Sequence, residues 1–113
     1  MRRLALLFVL IGLCALPALA AAETYKDVPV VDVNCSTKVA ADPDAHTRSC
    51  ALKCAASGFG IVTKDKQFLK LDSEGNTKVT DALKASAKKD HLRVDVSGEV
   101  QGDTLKVTSI KLL

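Results

Sequence analysis

Apolar and polar positions alternate most cleanly near the C-terminal end. In "HLRVDVSGEV", Leu92, Val94 and Val96 fall on one side and Arg93 and Asp95 on the other. That period of two predicts a half-buried strand. After the turn "QGD", "TLKVTSIKLL" alternates as well, but Leu105 and Val107 give way to Ile110 and Leu112. The phase slips at Thr108-Ser109, which predicts a bulge or a strong bend. "DVPVVDVNC" (Asp27 to Cys35) is short and rich in valine, and reads as the first strand with Cys35 at its end. "GIVT" and "QFLKL" read as a hairpin around "KDK".

Two stretches carry helix signals instead. Asp42-Pro43 has an N-cap residue followed by proline at the first helical position, and Asp44 suits the helix dipole. The spacing predicts a helix from Asp42 to Ser57, stopped by Gly58, with Thr47 as a competing N-cap. "SEGN" (Ser73 to Asn76) reads as a turn. "VTDALKASAKKD" reads as a second helix with Thr80 as its N-cap and Val79, Ala82 and Leu83 on one face. The order is then strand, helix, strand, strand, helix, strand, strand. It predicts a mainly β domain with two helices: a five-stranded OB-fold-like barrel with an extra helix inserted between strands 1 and 2. The rival is an open antiparallel sheet carrying both helices.

The start of the chain is of another kind. Arg2 and Arg3 precede the apolar run Leu4 to Leu16; Pro17 breaks it, and "ALA" at Ala18 to Ala20 is a small-x-small pattern. These are the parts of a Sec-type signal peptide, with cleavage expected near Ala20 to Ala22. The run is shorter than the roughly 20 residues a bilayer span needs, so no membrane anchor is expected. Residues 1–22 are read as a leader and residues 23–113 as one domain, exported to the periplasm or secreted and expected to be a monomer. Charge adds little. Of 16 basic residues two leave with the leader, so the domain carries one more basic than acidic residue. That balance, the lack of tryptophan and the few aromatics argue against nucleic acid.

Cysteine usage changes the picture. Cys14 leaves with the leader, and Cys35, Cys50 and Cys54 remain. An odd count in an oxidising compartment implies a spare thiol, a metal site or an intermolecular bridge. His46 lies in the same stretch, and thiolate with imidazole is the donor set of zinc and copper. Cys35, His46, Cys50 and Cys54 are therefore the candidate metal ligands, for zinc or copper.

The series Asp32, Cys35, His46, Cys50, Cys54, Gly58 resembles a group of small exported bacterial proteins. In them an Asp-x-x-Cys strand end is followed by a His and a Cys-x-x-x-Cys helix. "VTKDKQFLKL" and "VDVSGEVQGDTLKVTSI" are similar to their strand-turn-strand and closing hairpin. Ser36 departs from the pattern, which often carries Gly there. The resemblance implies one exported OB-like domain with a Cys/His cluster, and it implies no activity.

Helix geometry constrains the cluster. On one straight helix His46, Cys50 and Cys54 share a face, but His46 and Cys54 stand about 12 Å apart along the axis. That is too far for one ion. If the helix starts at Thr47 instead, His46 is free to fold over its first turn and the four donors can surround one ion. The alternative is a disulfide from Cys35 to a helical cysteine, worth about 3 kcal/mol, which leaves one thiol over. The domain is then a stapled interaction module for a protein or small ligand, without metal. Asp32 is either a partner for a ligating His46 or the polar face of a strand. His91 reads as a solvated surface residue. No catalytic set is legible, so an enzyme is not expected.

Overall fold

The computed structural model of the protein describes residues 22–113. The expected leader lies outside the described residues, apart from Ala22. Five strands form the body: β1 (Ala22–Asp32), β2 (Phe59–Val62), β3 (Phe68–Leu71), β4 (Arg93–Gln101) and β5 (Thr104–Leu112). They close in the order β1-β2-β3-β5-β4, the OB-like barrel that the strand order predicts. Helix α1 (Arg48–Lys53) lies between β1 and β2, and α2 (Ser73–Ala85) between β3 and β4. Among the described residues no helix is long and apolar enough to cross a membrane.

The period-two pattern explains the core. Val94 and Val96 of β4 and Leu105 and Val107 of β5 are buried, and they meet Val28 and Val30 of β1 and Ile61 of β2. Val79 and Leu83 of α2 are added from outside the sheet. The phase slip in the last strand is a true bulge. Ser97 pairs with Ser109 but Gly98 pairs with Val107, so Thr108 is the extra residue. Its Oγ1 donates to the Ser97 carbonyl at 3.1 Å. Gly98 is required at this point, because a Cβ there would collide with the Lys106 carbonyl.

β1 is the strand that closes the barrel. It pairs with β4 from Ala22 to Pro29 and with β2 from Val30 to Asp32. It is longer at its start than the expected Asp27–Cys35 and ends three residues sooner. Cys35 sits instead in a 3-10 turn, Val33–Cys35, whose N-cap is Asp32.

Both helices depart from expectation. α2 begins at Ser73, so "SEGN" is its first turn rather than a loop, and its cap is Asp72, not Thr80. The Asp72 carboxylate accepts from Gly75 N at 3.0 Å and also from Val107 N of β5 at 3.2 Å. Capping the helix and fastening it to the barrel outweigh the turn preference of Ser, Gly and Asn. Thr80 lies within the helix and donates to the Asn76 carbonyl. The shortening of α1 bears on the site and is described next.

Candidate metal centre

The site begins where β1 ends. Asp32 pairs with Phe59 of β2 and is fully buried. A buried carboxylate needs partners, and this one has two from the segment that follows. Its Oδ2 accepts from Cys35 N at 2.9 Å, which shapes the 3-10 turn. Its Oδ1 lies 2.5 Å from His46 Nε2. His46 is only 5% exposed, so the pair forms a sealed floor.

His46 reaches that floor because α1 starts late. Pro43–Ala45 makes a single 3-10 turn, His46 is extended, and Thr47 caps α1. The expected start at Asp42 is therefore corrected. The side chain of Asp42 makes no cap bond, whereas Thr47 Oγ1 accepts from Cys50 N at 3.2 Å. A second force holds the turn away from a helical path. Arg93 of β4 donates twice to the Asp44 carboxylate, at 2.9 and 2.8 Å, and the Asp44 carbonyl accepts from His91 N at 3.0 Å. With His46 outside the helix, the separation of about 12 Å along one axis no longer applies.

The third member is Cys35. Donor atoms of Asp32, Cys35 and His46 lie within 4.8 Å of one another. Cys54, the C-cap of α1, flanks this group. Asn34 Nδ2 lies 3.6 Å from Cys54 Sγ, and Asn34 N donates to Ser57 Oγ at 3.1 Å. Val33 N also donates to the Gly58 carbonyl at 2.8 Å, so the turn after β1 and the end of the helical segment run side by side. Cys50 is exposed and stands outside the group. Of the four expected ligands, Cys35 and His46 are thus brought together, Cys54 borders them, and Cys50 faces solvent.

The disulfide of the alternative reading is absent among the described residues: Cys35, Cys50 and Cys54 are all free. The Asp32 cap places the Cys35 sulfur with the carboxylate and imidazole, rather than in a bond to α1.

The electrostatics identify the chemistry available. Burial pushes the Cys35 thiol up, the Asp32 carboxylate pushes it further, and the Cys54 thiol adds to the effect. That is the reverse of an activated nucleophile, which needs a depressed thiol pKa. A bound cation changes the balance, since a coordinated thiol gives up its proton to the metal. Asp32, Cys35 and His46 together form a group that could hold a cation.

His91 is where the sequence places it, at the surface. Its side chain is 67% exposed and bonded to Asp90 at 2.8 Å, which raises its pKa. Sequence reading misses the Asp44–Arg93 fork, because the partners are 49 residues apart and no local pattern joins them. Comparison with protein-family models, with curated proteins and with solved structures finds no match.

Proposed function

We propose that the protein is a small exported metal-binding module. Its centre takes a soft ion, zinc or copper, on Cys35, His46 and Cys54, with Asp32 orienting the imidazole. The observation that supports this most is the buried Asp32–His46 pair with the Cys35 sulfur within 4.8 Å. A carboxylate bonded to one ring nitrogen is how a ligating histidine is commonly fixed and made more basic. Free thiols beside it supply the soft donors. Membership of the group of exported bacterial proteins that the Asp-x-x-Cys, His and Cys-x-x-x-Cys series resembles is part of the same proposal. So are the cleaved leader, the periplasmic or secreted location, the monomeric state and the lack of nucleic-acid binding.

The test is mass spectrometry of the mature protein taken from the periplasm, first native and then denatured. The expected result is one added zinc or copper, lost on denaturation, with every cysteine reduced. A mass lower by two hydrogens and no metal contradicts the proposal and restores the disulfide-stapled interaction module.

A further inference from the structure

The centre has one hard donor, and each of its oxygens already holds one neighbour. Asp32 Oδ1 faces His46 Nε2 and Oδ2 accepts from Cys35 N. Each oxygen keeps a second lone pair, but these two bonds give Asp32 the work of orienting its neighbours. The other donors of the centre are sulfur and imidazole, a set that favours soft cations such as monovalent copper.

The thiols also form a series from solvent inward. Cys50 is exposed, Cys54 and Cys35 are half-buried, and His46 and Asp32 are buried. Cys54 N donates to the Cys50 carbonyl at 3.1 Å, so one helical turn separates the two. Their β carbons are then about 5–6 Å apart, close enough for two sulfurs to share one ion. A closed structural zinc site has no use for an exposed thiol one turn from its ligands. A site that exchanges its ion does, because the incoming ion is held by sulfur at each stage.

We propose that the ion is monovalent copper carried as cargo, and that Cys50 is the surface thiol through which it enters and leaves. This rests on the metal-binding reading above. The step is ligand exchange without redox change. A bond from copper to the donor's thiolate breaks and one to Cys50 sulfur forms, and the Cys50 proton passes to the released thiolate. Copper then moves to Cys54, and on to Cys35 and His46.

The experiment compares the wild-type protein with Cys50→Ser, using the copper(I)–glutathione complex as donor without oxygen. Equilibrium affinity is read by competition with a chromophoric copper(I) chelator, and loading and unloading rates by stopped flow. The expected result is an unchanged affinity with both rates lowered at least about tenfold, which is a barrier higher by about 1.4 kcal/mol. Cys50 is exposed, so the variant is expected to fold, and circular dichroism checks it. Unchanged rates overturn the proposal. A lower affinity overturns it too, because Cys50 is then a ligand of the resting ion. Wild-type protein that binds zinc but no copper(I) overturns the cargo assignment and leaves the metal-binding reading standing. Protein that binds neither ends both.

Discussion

The β4–β5 ribbon and the segment between β1 and β2 show two ways of holding a chain in place. The ribbon pairs from Val94 to Gln101 against Leu112 to Thr104, and its inward side chains are valine, leucine and isoleucine. Backbone bonds and apolar burial hold it together, and no single side chain has to meet a named partner. The β1–β2 segment contains only short helical turns and the six residues of α1. Directed polar bonds define its path: Asp32 to Cys35 and His46, Thr47 to Cys50, Asn34 to Ser57, and Arg93 to Asp44. One region supplies stability that tolerates substitution at the surface. The other supplies precise placement of a few donors, and each bond removed should move a donor.

The comparison predicts different outcomes for the two regions. The largest effect is expected in the ribbon. Leu105 is fully buried, and Leu105→Ala should cost about 2–5 kcal/mol, the range for emptying a core leucine site. Urea denaturation followed by circular dichroism measures it. A cost under about 1 kcal/mol would mean that the ribbon is not the stabilising half.

Asp32→Asn comes next and cuts across both regions. It should cost about 1–3 kcal/mol by weakening two buried bonds. It should also lower metal affinity about 10- to 100-fold, the usual penalty for losing the partner of a ligating histidine. Loss of stability with unchanged metal affinity would reduce Asp32 to a structural role.

A smaller, pH-dependent effect belongs to the Asp44–Arg93 fork. The guanidinium bonded to Asp44 holds its carboxyl below the usual range, against the opposing effect of partial burial. A depressed folded pKa stabilises the fold above the unfolded value of about 4, and the contribution is lost as pH falls through the folded pKa. Asp44→Asn should therefore cost about 1 kcal/mol at neutral pH, and the gap from the wild type should close in acid. Denaturant curves from pH 7 to 2 test this, and a gap that stays constant would contradict it.

The smallest effect is spectroscopic. Tyr25 is the only tyrosine of the chain, and its hydroxyl donates to Glu23 Oε2 at 2.5 Å. Burial, with that bond and the nearby carboxylate, pushes its pKa up to about 12. Absorbance titration should find a midpoint there, and Glu23→Gln should bring it back toward 10.

The same contrast explains what was legible in the sequence. The ribbon could be read down to its bulge, because a period of two and a phase slip at Thr108-Ser109 are local signals. The site was legible in its residue types and in the choice it left open. Asp42-Pro43 and Thr47 both look like helix starts, and the outcome depends on Arg93, which pulls Asp44 toward β4 from far along the chain. "SEGN" misled for a similar reason. Its turn residues are overruled by Asp72, which caps α2 and bonds β5 together. Asp32 carried a cue in the Asp-x-x-Cys spacing, since a cap three residues ahead of Cys35 is a local pattern. Its full burial depends on the closed barrel.

The central claim is that Cys35 and His46 hold one ion above the Asp32 floor. X-ray absorption at the metal edge of the zinc-loaded protein tests it most directly. The account predicts sulfur at about 2.3 Å together with imidazole nitrogen at about 2.0 Å, the imidazole disappearing in His46→Ala. A shell of oxygen and nitrogen without sulfur, or an imidazole shell that persists in His46→Ala, would contradict it.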